Sequence, residues 1–153
     1  MPCPQGTFVL NKNNLTVKKR APVSQIMSTE LISLNLTNEL ADAVMIFKQH
    51  NIHHIPVVSG EEIIGLVSKT DIDRISFVDT YQEDTANTAV YTALTLDQVM
   101  TRNLETINTD DQIKTAAEIL AEGNFHALPV LENGKLAGIV TSTDVIRYLL
   151  DQY

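Results

Sequence analysis

His53-His54-Ile55-Pro56-Val57-Val58, followed closely by Gly65-Leu66-Val67-Ser68-Lys69-Thr70-Asp71, is the stretch whose reading decides the fold. Residues 55–58 form a β-branched run, Gly60-Glu61 supplies a turn, and residues 63–67 are a second β-rich run, so the pair predicts a hairpin. A helix is expected to start around Thr70, just past the second strand. The same pattern recurs downstream. Shifted by 73 residues, positions 23–75 lie on 96–148 without a gap, and 15 of the 53 pairs are identical. Unrelated segments of that length would share about three or four. The identities include Met27 with Met100, Asn51 with Asn124, His53 with His126, Pro56-Val57 with Pro129-Val130, Gly65 with Gly138, and Thr70-Asp71 with Thr143-Asp144.

Upstream of the first hairpin, residues 31–34 read as a short strand. Leu40, Ala43, Val44 and Phe47 then follow helical spacing, with Thr37 or Asn38 placed to cap that helix. The second copy repeats the order: Thr106-Ile107, a helix carrying Ile113, Ala116, Ala117 and Leu120, strands at 128–131 and 136–140, and a last helix from about Thr143 toward Leu150. Asn133-Gly134, between those strands, is the strongest hairpin signal in the chain. The expected fold class is α+β, two tandem β-α-β-β-α motifs. About 50 residues is too few to bury enough surface alone, so the motifs are expected to pack face to face about a pseudo-two-fold axis as one module. The expected divisions are a basic N-terminal arm at 1–22, the first motif at 23–80, a linker at 81–95 and the second motif at 96–153. Residues 76–95 are polar and Thr-rich, with Asp79, Glu83 and Asp84, and a structureless run of that length is unusual, so helix is expected at one or both ends.

Composition narrows the function. A chain that is 44% hydrophobic and 20% charged has the material for a soluble core. No apolar run approaches the 18 or so residues of a membrane-spanning helix, and the start lacks a signal peptide's apolar stretch, so a cytoplasmic location and no membrane partner are expected. Cys3 stands alone, which excludes an intramolecular disulfide and makes it a poor candidate nucleophile. Residues 1–22 carry Lys12, Lys18, Lys19 and Arg20 with no acid, so the net charge of −8 leaves −12 on the remainder. Such a body repels phosphate backbones, and no nucleic-acid partner is expected. The arm reads either as a solvated tail or as a strand, Thr7-Phe8-Val9-Leu10, added to its own domain or a neighbour.

His-His-Ile-Pro-Val-Val at 53–58, Gly-Leu-Val-Ser-Lys-Thr-Asp at 65–71 and Gly-Ile-Val-Thr-Ser-Thr-Asp at 138–144 resemble the CBS domain family. That family's pattern is a short strand, a helix, a hairpin whose first strand carries x-Pro-Val, and a second strand ending in Gly-x-x-[Ser/Thr]-x-x-Asp. Both copies fit it, and together they cover residues 23 to 150. The resemblance implies a tandem pair, or Bateman module, with two clefts, often dimeric, that binds AMP, ADP, ATP or an adenosyl ligand such as S-adenosylmethionine. Such modules regulate an attached enzyme, channel or transporter. This chain has no room for one, so the expectation is a homodimer acting on a separate, unknown protein, with no catalytic cofactor.

Ser68 and Asp71 stand three apart where a strand turns into a helix, as do Thr141 and Asp144, with Thr70 and Thr143 inside each corner. One reading is a capping box alone. The other adds a ligand: amides at a helix start favour phosphate, a hydroxyl there donates one more bond, and an acceptor-only carboxylate suits the two hydroxyls of a ribose. The resemblance likewise places ribose on the aspartate and phosphate near the Ser/Thr. It also makes His53, His54 and His126 the cationic candidates, since a basic residue often precedes x-Pro-Val in the family. Ala127 takes the place of His54, so the first site is expected to attract phosphate more. A histidine that gains charge beside phosphate would strengthen binding as pH falls toward about 6. The alternative for each is a hydrogen-bonded, half-buried histidine. Adenine needs a flat apolar slot edged by polar groups. Ile32, Leu34 and Ile107 are wall candidates, Ser33 and Thr106 edge candidates, and Val58 and Leu131 could complete the walls, unless the apolar members are ordinary core.

Other classes fit less well. His50, His53, His54 and His126 suggest a metal site, but successive strand residues face opposite ways and no cysteine partner is conspicuous, so no metal is expected. No Ser-His-Asp order, paired-carboxylate motif or phosphate-binding glycine loop appears, so the chain is read as no enzyme. The main competitor is a ligand-free dimerisation or interaction module of the same fold.

Overall fold

A computed structural model describes residues 20–77 and 93–153. Cys3, the Thr7-Phe8-Val9-Leu10 stretch and most of the segment joining the copies lie outside the described residues. The first repeat gives α1 (Leu40–Gln49), β1 (His54–Ser59), β2 (Glu62–Ser68) and α2 (Lys69–Phe77). The second gives α3 (Leu96–Val99), β3 (Ile107–Asn108), α4 (Ile113–Glu122), β4 (Ala127–Glu132), β5 (Lys135–Thr141) and α5 (Ser142–Leu150). A single 3-10 turn, Val23–Gln25, precedes them. The fold is mixed α+β with two copies of one motif, as expected. Helix does occupy the near end of the joining segment, since α2 runs to Phe77.

The chain divides into two compact units that do not follow the repeat order. One is built on the second repeat, residues 106–132 and 137–153, and takes residues 20–29 as a strap. The other is built on residues 30–105 and includes the hairpin tip at 133–136. In the second-repeat unit, Val23 is fully buried among Ile107, Ala116, Leu120, Leu128, Val130, Val140 and Val145. Its amide donates to the Asp111 carbonyl at 2.7 Å, and Ser28 pairs with Ile139 through two bonds of 2.8 and 3.1 Å. The first-repeat unit is closed in the same way by α3. Leu96 and Met100 are buried with Leu34, Leu40, Ala43, Ile55, Val57 and Val67, and Thr101 pairs with Leu66. Each opening segment is amphipathic and short, so its few apolar side chains find cover only on a formed hairpin, at about 1.5–3 kcal/mol each.

The hairpins follow the turn chemistry. Gly60 has φ 63°, and Asn133 and Gly134 have φ 53° and 79°, the pair of positive values a two-residue primed turn requires. In α1 the predicted core face is observed: Leu40, Ala43 and Val44 are buried and Phe47 packs against them. Its cap differs from expectation. The helix starts at Leu40, and the Glu39 amide donates to Asp42 Oδ2 at 2.8 Å. Thr37 and Asn38 instead close the preceding turn, with Asn35 Oδ1 accepting from the Thr37 amide and Asn38 Oδ1 from the Asn35 amide.

The predicted strand at 31–34 is a second correction. Only Leu34 pairs, with Val57, through the Leu34 amide on Pro56 O at 2.9 Å and the Val58 amide on Leu34 O at 2.7 Å. The next bond of a parallel ladder toward Ile32 would need an amide proton at Pro56, which proline lacks. The second copy obeys the same limit. β3 begins at Ile107 opposite Val130, one residue after the expected Thr106, and Pro129 blocks its extension backward.

Candidate functional site

Two corners, one per unit, hold the Ser/Thr-x-x-Asp residues that the sequence singles out. In the first-repeat unit β2 ends at Ser68 and α2 begins at Lys69. The Ser68 amide donates to Asp71 Oδ2 at 3.0 Å, and the Asp71 amide donates to Ser68 Oγ at 3.1 Å. In the second-repeat unit the Thr141 amide donates to Asp144 Oδ2 at 2.8 Å and the Asp144 amide to Thr141 Oγ1 at 3.2 Å. Both are reciprocal caps, which satisfy donors that a helix start otherwise leaves orphaned. In each the capping bonds use Oδ2, and Oδ1 accepts no hydrogen bond among the described residues. Capping and ligand binding are therefore compatible, since half of each carboxylate remains available as an acceptor.

The histidines are tied to these corners through the backbone. The His53 carbonyl accepts from the Lys69 amide at 2.8 Å, and the His126 carbonyl accepts from the Ser142 amide at 3.0 Å. Both histidines are exposed. His54, half-buried, opens β1 directly opposite Ser68, whereas Ala127 at the matching position is buried. His53, His54, Ser68, Asp71 and exposed Thr70 thus gather at one corner, and His126, Thr141, Asp144 and exposed Thr143 at the other. Of the slot candidates, Leu34 and Ile107 are 5% and 3% exposed and belong to the two core clusters. Ile32, Val58 and Leu131 are half-buried, while Ser33 and Thr106 are exposed.

Two features escaped the sequence reading. Lys69 opens α2 where Ser142 opens α5, a difference visible in the same 73-residue offset that reveals the repeat. An open cleft of about 290 Å³ in the second-repeat unit is lined by Gln25, Ile26, Asp144, Arg147, Tyr148 and Asp151. It depends on the strap lying against α5, which no local pattern announces. Among the described residues no group of three or more His, Cys, Asp or Glu could hold a metal ion. No helix among them is long and apolar enough to cross a membrane.

The order of elements, the paired corners and the x-Pro-Val strands agree with a family model, that of the CBS domain, which matches residues 23–77 and again 96–151. The chain belongs to the CBS domain family. Its relatives include a homoserine O-acetyltransferase of Methanosalsum zhilinae, 32% identical over 90% of this chain but only 24% of that protein. Another is an uncharacterised protein of Methanocaldococcus jannaschii, 28% identical over 84% of this chain and 50% of that one. The chain thus spans a quarter to a half of these relatives. Among solved structures, the CBS domain pair of protein MJ0100 in complex with 5′-methylthioadenosine and S-adenosyl-L-methionine superposes with TM-score 0.71 at 25% identity, covering 87% of this chain and 98% of that one. CBSX2 in complex with AMP gives TM-score 0.70 at 23% identity over 86% and 97%. The chain is therefore a CBS domain pair in fold.

Proposed function

We propose that this CBS pair is a non-catalytic regulatory module that binds an adenosyl ligand at its two Ser/Thr-x-x-Asp corners, acts as a homodimer and signals to a separate protein. The observation that carries the reading is the repeated corner itself. Twice the chain sets a carboxylate with one unspent oxygen beside a helix start and an exposed histidine. That set of groups matches ribose hydroxyls as donors and an anionic or electron-rich substituent beyond them. The MJ0100 pair, which holds 5′-methylthioadenosine and S-adenosyl-L-methionine, supports the ligand class. On this reading His53, His54, Ser68, Thr70 and Asp71 contact ligand at one corner and His126, Thr141, Thr143 and Asp144 at the other. Ile32, Leu34, Val58, Ile107 and Leu131 wall the base, edged by Ser33 and Thr106.

Thermal melts test it. AMP, ADP, ATP, 5′-methylthioadenosine or S-adenosylmethionine should raise the melting temperature, since a ligand at a hundredfold excess over Kd adds about 2.7 kcal/mol to the folded state. Asp71→Asn and Asp144→Asn keep a capping acceptor yet lose the carboxylate, and each should lessen the shift. No shift with any of the five at millimolar concentration would remove the sensor reading. A ligand-free interaction module of the same fold would then take its place. One observation favours that second reading: Ile146, Leu149 and Leu150 on α5 are 56%, 52% and 65% exposed. Sedimentation without ligand measures the self-association that either reading expects.

A further inference from the structure

The two corners share a backbone frame and one exposed histidine but differ in the other side chains that could meet a negative charge. At the first-repeat corner Lys69 follows Ser68, and the bond from its amide to the His53 carbonyl sets the two residues side by side. Lys69 is exposed on the first turn of a nine-residue helix, and its flexible four-carbon stem carries a point charge over several ångströms. His54 pairs with Ser68 across the hairpin, so this corner carries two histidines and a lysine within one residue of Ser68 or of its strand partner. At the second-repeat corner the equivalent positions are Ser142, His126 and Ala127, leaving one imidazole and no ammonium.

The hydroxyls differ as well. Thr141 Oγ1 donates its proton to Asp144 Oδ2 at 2.9 Å while accepting from the Asp144 amide, so its donor is turned inward. Ser68 Oγ accepts from the Asp71 amide, and among the described residues its proton is given to no partner. A phosphate oxygen needs donors and positive charge, and the first corner offers both. A phosphate-free nucleoside needs neither, only the carboxylate, and the second corner keeps that.

Building on the adenosyl-ligand reading above, we infer that the corners divide the ligand class between them. The first takes a phosphorylated adenosine, with Lys69 setting that preference, and the second takes a phosphate-free adenosyl compound such as a thioether nucleoside. Both corners thereby report on two chemically distinct pools through one chain.

Isothermal titration of the full chain with AMP, ATP and 5′-methylthioadenosine tests the division. The wild type should bind the phosphorylated and phosphate-free ligands together, each at one site per chain, without mutual displacement. Lys69→Ser, which copies the second corner, should weaken AMP and ATP about tenfold and leave 5′-methylthioadenosine within twofold. Ser142→Lys with Ala127→His should add a second AMP site. As Ala127 is buried, Ser142→Lys alone serves as the variant if the double one misfolds, and it should strengthen AMP at that corner severalfold. Equal loss of all three ligands in Lys69→Ser, no loss of any, or full competition between AMP and 5′-methylthioadenosine would overturn the division while leaving the adenosyl reading intact. Absence of all binding in the wild type would overturn both.

Discussion

Gly138 lies where a strap crosses β5, and the crossing leaves no room for a side chain. A Cβ there would sit 2.7 Å from the Ser28 carbonyl oxygen and 2.8 Å from Met27 Sδ. The backbone contact cannot swing aside, because Ser28 is held to Ile139 by two hydrogen bonds. Gly138→Ala should therefore cost about 1–3 kcal/mol, read as a lower midpoint in urea. Its counterpart Gly65 faces the Met100 side chain, a flexible neighbour that can rotate away. Gly65→Ala should cost less than Gly138→Ala, and the reverse order would show that the strap contact is not what fixes the glycine. The repeat makes both glycines visible in the sequence as identical positions, but their cause is not visible, since the atoms they accommodate come from segments about 35 and 110 residues away. The same holds at the corners. Ser68, Asp71, Thr141 and Asp144 were legible because the capping pattern is local, whereas which hydroxyl spends its proton on its own aspartate emerges only from side-chain geometry.

Hairpins were the most legible elements, because turn residues and β-branched runs act over short distances. Asn133 and Gly134 both adopt positive φ, so Gly134→Ala should lose roughly 1–2 kcal/mol through backbone strain alone. A melting temperature within one degree of wild type would refute that account. The strand expected at 31–34 was misread for a reason carried by another element. Its residues suit a strand, yet the ladder they would join is cut where Pro56 lacks a donor. Helix α1 shows the converse. Its buried face follows from spacing, while its cap falls one or two residues past the expected Thr37 or Asn38, because Asn35, Thr37 and Asn38 bond one another in the turn before it.

Across the whole chain, the repeat is a unit of sequence and the compact unit is not. Each half of the molecule takes its closing segment from the other repeat: residues 20–29 complete the unit containing β4 and β5, and residues 93–105 complete the one containing β1 and β2. Residues 1–77 expressed alone should lack a cooperative melt, since Leu96 and Met100 would be missing from their core. Mixing that fragment with residues 78–153 should restore one. Cooperative unfolding of residues 1–77 alone would contradict the exchange. The exchange also governs the order of events at the ribosome. Val23 and Ser28 are among the first of the described residues to emerge, yet their partners Asp111 and Ile139 lie far downstream and follow only after both intervening hairpin segments of the first repeat. The first unit can close as soon as residue 101 is free, while the strap must wait exposed for the second hairpin. The second-repeat unit therefore closes by a long-range step, and the slowest contact to form is the one that returns Val23 and Ser28 to Asp111 and Ile139.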